Sequence, residues 1–196
     1  MWRVLRKHKI QLQRRRSWCI STDPEFGPKA ADIIALYLNP PENAIVLSID
    51  EKPHIQALER AQGQIKAGHY RRRRRREFLH FMNQVIADYP ADVQIHVILD
   101  NLNTHKPKHD RWLARHNNVY FHYTPTHASW MNQVEFWFSI MARAALRGGS
   151  FTSPEQVREA IDEFVAVYNP QATPFEWRKE VVHPVPLKRR YADLCN

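Results

Sequence analysis

Two short apolar runs each end in an aspartate. Ala44 to Ile49 (AIVLSI) leads into Asp50, and Ile95 to Leu99 (IHVIL) leads into Asp100. Nearly continuous apolar runs of this length read as strands buried on both faces of a parallel sheet. Ligands of such sheets bind at the carboxyl ends of the strands. If the two strands are neighbours, the two carboxylates lie side by side and repel unless a cation sits between them. A third carboxylate, Glu135, falls in the segment Ser129 to Leu146, which reads as one long helix ended by Gly148-Gly149. At helical spacing Asn132, Glu135 and Ser139 share a narrow polar stripe, with Trp130, Val134, Trp137, Phe138 and Met141 around it. A glutamate in such apolar company is paired, protonated or bound to a metal. Hard oxygen ligands suit Mg²⁺ or Mn²⁺. Two such ions clamp a scissile phosphate, one activating the attacking water or 3′-hydroxyl and the other stabilising the leaving oxygen.

Each residue also has a plainer reading. One aspartate at a strand end is ordinarily the first solvated residue of a loop, and Glu135 has Arg143 or Arg147 as candidate ion-pair partners. The combination carries the argument, and it depends on the elements that position it. Asp23-Pro24 is a helix-start signal, but Gly27-Pro28 moves the expected start of the regular helix to about Pro28. That helix buries Ile33, Ile34, Leu36 and Tyr37 and stops at Pro40-Pro41, a rigid linker and the best domain boundary. After the Asp50 strand, residues 54–61 read as a short helix and Ile65 to Tyr70 as a short strand. Arg71 to Arg76 open an amphipathic helix with Phe78, Leu79, Met82, Val85 and Ile86 on its apolar face. A short helix near Trp112-Leu113, a strand Val119 to Tyr123, and a capping box Ser153-Pro154-Glu155-Gln156 opening a last helix complete the pattern. Strands alternating with helices indicate an α/β layer.

The 196 residues suffice for one core plus appendages, and 29 Lys and Arg against 20 Asp and Glu leave a formal charge of +9. Such a balance favours a polyanionic partner, with nucleic acid the commonest. Cys19 and Cys195 offer neither a disulfide framework nor a zinc site and fit a reducing cytoplasm. No apolar run approaches membrane-spanning length. The six-arginine run reads alone as a solvated helix face; on a chain that holds DNA it becomes a phosphate contact, because phosphate contacts supply most non-specific affinity. His105, His109, His116, His122 and His127 show no metal-binding spacing, and Trp130, Phe136, Trp137 and Phe138 read as core rather than a base-stacking platform.

Three strings, SIDEKPHIQALERAQG, ILDNLNTHKPKHDRWLARH and YTPTHASWMNQVEFWFSIMARAALRGGSF, resemble the DDE catalytic domain of insertion-sequence transposases in the bacterial branch of the mariner-like superfamily. The similarity runs from about Ser21 to the C-terminus. It implies an RNase H-like fold and cut-and-paste movement of DNA, generally into TA dinucleotides. It assigns Asp50, Asp100 and Glu135 as catalytic and metal-binding residues for two Mg²⁺ or Mn²⁺ ions. The 34 residues between Asp100 and Glu135 agree with the family's spacing. Asn101, His105 and Asn132 match supporting positions that order the active-site loop and hold DNA near the metals. Arg71, Arg72, Arg73, Arg74, Lys106 and Lys108 are the expected DNA contacts. Expected partners are double-stranded DNA (transposon ends and target) and, as an open assembly state, a second copy in a homodimer; no membrane and no small-molecule cofactor is expected. The expected location is the bacterial cytoplasm, at the nucleoid.

Two departures shape the expectations. Of the helix-turn-helix region that reads terminal repeats, only the last helix can be represented, by Trp2 to Arg16, so residues 1–41 are assigned as a remnant of it plus a linker helix, and 42–196 as the catalytic domain. Between Asp50 and Arg71 only 20 residues remain for a two-stranded hairpin, of which Ile65 to Tyr70 is one convincing strand. The join at Ala61-Gln62-Gly63-Gln64 therefore reads as an internal deletion. The expected fold is an RNase H-like mixed sheet flanked by helices and lacking one strand, with an exposed or mispaired edge beside Asp50. The functional expectation is a polynucleotidyl transferase or endonuclease that this deletion impairs. The alternatives are a non-catalytic DNA-binding remnant and an RNase H-type nuclease.

Overall fold

The computed structural model describes residues 21–52, 55–60, 63–102, 105 and 110–173. The basic segment Trp2 to Arg16, Lys106, Lys108 and the tail from residue 174 lie outside them. In chain order the elements are helix α1 (Phe26–Leu38), strands β1 (Ala44–Lys52), β2 (Ile55–Arg60) and β3 (Ile65–His69), helix α2 (Arg75–Ile86), strands β4 (Gln94–Leu99) and β5 (Val119–Tyr123), and helices α3 (Val134–Met141) and α4 (Pro154–Tyr168).

The strands form one sheet in the order β3-β2-β1-β4-β5. β3, β2 and β1 are antiparallel, and β1, β4 and β5 are parallel. The sheet is mixed α/β and RNase H-like, as expected, but no hairpin strand is missing. Ile55–Arg60, read as helix from sequence, is the second strand: Leu47 opposes Arg60 and Lys52 opposes Ile55 along the edge of β1. Within the supposed deletion scar Gly63, shortly before β3, adopts φ 76°, a left-handed conformation that costs glycine little. Residues 55–60 (IQALER) misled because Gln, Ala, Leu, Glu and Arg favour helices intrinsically. Hydrogen bonding to β1 on one edge and β3 on the other overrides that preference. The edge expected beside Asp50 is covered; β3 and β5 are the sheet's edges.

Side chains alternate across β1 and sort the core into two layers. Leu47 and Ile49 pack with Ile95, Val97 and Leu99 of β4 against Phe78, Phe81, Met82 and Val85 of α2. On the opposite face Val46 and Ile98 meet Ala30, Ile33 and Leu36 of α1, with Ala128 and Met131. Farther along that face, Ala57 and Ile65 meet Val134, Trp137, Phe138 and Met141 of α3 and Ile161 of α4. Gly68 of β3 lets α2 lie close, because a Cβ there would stand 2.9 Å from Cδ2 of Phe81. The cap forms: the Ser153 hydroxyl accepts from the Gln156 amide at the start of α4, and the Gln156 side chain reaches back to the amide of Thr152 rather than of Ser153. No helix among the described residues is long and apolar enough to cross a membrane.

A complete sheet with buried layers on both faces should unfold in one cooperative transition. Phe81 has no exposed surface, so Phe81→Ala should cost about 3–5 kcal/mol, read from the denaturant midpoint at unchanged slope. A multiphasic wild-type transition would instead indicate a damaged sheet.

Candidate active site

The parallel register between β1 and β4 aligns the two aspartates. Ser48 opposes Ile98, and Asp50 and Asp100 each follow two residues later on the same ends of neighbouring strands. Asp50 is the seventh residue of β1 and is only 5% exposed, on the face toward α3; Asp100 follows the last residue of β4. Glu135 lies in the first turn of α3. The long helix expected over Ser129 to Leu146 is divided. A 3₁₀ turn spans Ser129–Met131, Asn132 has extended backbone, α3 follows, and a π-helical turn spans Ala142–Leu146. Asn132 thus precedes the helix instead of sharing its stripe. It is fully buried and its Nδ2 donates to the carbonyl of Ile49 at 2.7 Å, tying the approach to Glu135 onto the residue before Asp50.

Asp50 carries the electrostatic signature of the cluster. Burial pushes its carboxyl up to about 7; the hydrogen bond from the Glu51 amide opposes this, while the charges of Glu135 and Asp100 and a hydrogen bond shared with Glu135 add to the rise. The other two carboxylates each rest on a cation of the protein. Lys52 Nζ reaches Glu135 Oε2 at 2.8 Å, so the partner of Glu135 is neither Arg143 nor Arg147. His105 Nδ1 lies 3.0 Å from Asp100 Oδ1, and its Nε2 lies 3.2 Å from Glu51 Oε1. Burial alone would lower the His105 pKa, but hydrogen bonds to Asp100 and Glu51, together with their charges, raise it to about 9. The ring is fully buried, with its centroid 4.5 Å from that of Phe78.

The loop carrying Asp100 is pinned from three sides. The carbonyl of His105 accepts from the Tyr123 hydroxyl at 2.8 Å and from Arg75 Nη1 at 3.2 Å. Arg75 is also paired with Asp110 and lies over the ring of Phe78. Asn101 Nδ2 donates to the Thr126 hydroxyl, and the Thr126 amide donates to Asp23, which also binds Lys29. These contacts hold the Asp23 carboxyl well below the ordinary carboxylate range, through the Thr126 amide first and Lys29 second.

Among the expected DNA contacts, Arg71, Arg72 and Arg73 are exposed in the turn before α2, and Arg74, also exposed, is paired with Glu77 at 2.7 Å. Arg75 instead turns inward, to Asp110 and the His105 carbonyl. The aromatic segment likewise divides: Trp137 and Phe138 are core, whereas Trp130 is 60% and Phe136 53% exposed. Sequence reasoning missed Glu51 and Lys52. Strand alternation was the available signal, since Glu51 follows Leu47 and Ile49 on the α2 face and Lys52 shares the face of Asp50.

No three His, Cys, Asp or Glu side chains among the described residues form a ready-made metal-binding group. The donor chemistry nevertheless fits a hard divalent cation. Three carboxylates crowd one sheet end, and one is so disfavoured as an anion that its pKa rises to about 7. Lys52 and His105 supply the positive charge that the other two carboxylates meet here.

No curated protein matches the chain. A family model described as DDE superfamily endonuclease matches residues 50–158, a span that starts at Asp50 and includes Asp100 and Glu135. With more than half of its length in that match, the chain belongs to the DDE superfamily of endonucleases.

Proposed function

We propose that the chain is the catalytic domain of a cut-and-paste transposase from the bacterial insertion-sequence branch of the mariner-like superfamily, acting on double-stranded DNA. Residues 42–196 form the catalytic domain in this reading, and residues 1–41 belong to the DNA-binding region and its linker helix. Asp50, Asp100 and Glu135 hold two Mg²⁺ or Mn²⁺ ions. Bound ions would supply charge to the attacking and leaving oxygens of the phosphodiester. The chain's own residues do the rest. Asn132 sets Glu135 against β1, His105 and Asn101 order the loop after Asp100, and Arg71, Arg72, Arg73 and Arg74, with Lys106 and Lys108, bind the phosphate backbone. The observation that carries the reading is that Asp50 feels both Asp100 and Glu135 although they lie far away in sequence. The ground for expecting an impaired enzyme was a missing strand, and β2 removes it.

One observation favours the rival, a non-catalytic DNA-binding remnant: Glu135 and Asp100 are already paired with Lys52 and His105. Nicking of supercoiled plasmid separates the two. The wild-type chain should nick with Mn²⁺ and with Mg²⁺ and lose this with Asp100→Ala. DNA binding without metal-dependent nicking would establish the remnant. Faster cleavage of an RNA–DNA hybrid than of a DNA duplex would instead point to an RNase H-type nuclease.

A further inference from the structure

We propose that Glu51 is a positioning residue for Asp100, acting through His105. The inference rests on the reading of Asp100 as a metal ligand.

Strand alternation sends Asp50 and Glu51 to opposite faces of β1, so Glu51 is not a fourth member of the carboxylate cluster. Its side chain is 1% exposed, at the end of the layer formed by Leu47, Ile49 and Phe78. A carboxylate in such a place is costly unless paired and hydrogen-bonded. Oε1 meets Nε2 of His105, while Oε2 is buried without a hydrogen-bond partner. A residue retained at that cost, where an apolar one would fill the layer, serves something other than packing.

His105 gives that something a direction. Its ring has one nitrogen on Glu51 and the other on Asp100 Oδ1, at 3.2 and 3.0 Å. Its face lies against Phe78, and its carbonyl is held by Tyr123 and Arg75. Packing confines the ring to a slot, and the remaining freedom is which nitrogen faces which carboxylate. Glu51 limits that freedom by holding Nε2 at its Oε1, which keeps Nδ1 on Asp100 Oδ1. The Asp100 side chain is then held at Oδ1, which also accepts from the Leu102 amide at 3.3 Å. The Glu51 side chain touches neither the cluster nor DNA in this scheme; only its backbone amide meets Asp50, and side-chain substitutions leave that bond in place.

Mn²⁺ binding to the full chain, read from the fraction of free ion by electron paramagnetic resonance, tests the idea without relying on catalysis. Glu51→Ala should weaken Mn²⁺ binding by about 10–100-fold, the ordinary cost of removing a residue that orients a metal ligand. Glu51→Gln keeps an acceptor at the same reach and should recover part of the loss. If Glu51→Ala fails to fold, the isosteric Glu51→Gln still carries the test. In a His105→Asn background, Glu51→Gln should weaken binding no further, because the path to Asp100 is already cut. Unchanged Mn²⁺ binding in folded Glu51→Gln, or an effect that simply adds to that of His105→Asn, overturns the proposal. A wild-type chain that binds no Mn²⁺, and so does not differ from Asp100→Ala, overturns the metal-site reading and this inference together.

Discussion

Asp50→Asn should abolish metal-dependent DNA cleavage and at the same time raise the melting temperature of the metal-free protein. The two effects have one cause. Asp50 is buried beside Glu135 and Asp100, and its pKa rises from 3.8 to about 7. A group that titrates higher in the folded than in the unfolded chain contributes stability that is fully present below its unfolded pKa. That stability is lost as pH rises through the folded value. Metal-free wild type should therefore lose stability relative to Asp50→Asn between about pH 4 and pH 8, by on the order of a few kcal/mol. For a chain of this size each kcal/mol is worth roughly 2–4 °C. Asparagine keeps an oxygen that can accept from the Glu51 amide, as Asp50 Oδ1 does at 2.7 Å, so the strand end is not disturbed. Millimolar Mg²⁺ should narrow or reverse the difference, since an ion that binds only the native wild type stabilises it by mass action. Melting curves at pH 5 and pH 8, with and without Mg²⁺, decide the matter. An Asp50→Asn protein less stable than wild type at pH 8 without metal would remove the electrostatic account of the cluster.

The arginine run carries the second large effect. Arg71, Arg72 and Arg73 stand exposed before the first turn of α2, where the positive end of a helix dipole and their mutual repulsion both oppose them. Only Glu77 offsets this charge in the first turn, and it is taken by Arg74. A polyanion on this surface relieves the repulsion. Changing Arg71, Arg72 and Arg73 together to glutamine should reduce the slope of log affinity against log salt by up to about three, and affinity at moderate salt by on the order of tenfold or more. Stability should be unchanged or slightly improved. Arg75→Gln should behave differently, lowering stability through Asp110 and the His105 carbonyl with little change in the salt slope. Fluorescence anisotropy with a short DNA duplex over a salt series measures both; an unaltered slope in the triple variant would place the DNA elsewhere.

Much of this arrangement is legible in the order of residues. The apolar runs before Asp50 and Asp100, the amphipathic period after the arginines and the Ser153 cap are local patterns. Each is written within a few residues, and the structure keeps them. The mixed RNase H-like sheet was legible too, except for β2. Six residues with helical preferences become a strand because β1 and β3 each satisfy one edge of their backbone, a condition outside the segment itself.

Ionic partners were also beyond reach. Composition shows an excess of positive charge, but not that Lys52 would meet a glutamate 83 positions away or that Glu51 would meet a histidine 54 positions away. Nor does the pattern of aromatic residues reveal that Trp137 is sealed in the core while Trp130 faces solvent. The sequence by itself determined which carboxylates follow the two apolar runs and which segment brings the third, although β1 continues two residues past Asp50. Only the tertiary structure decided which cation each carboxylate meets, because those distances depend on how strands cross and helices pack, and no local period encodes them.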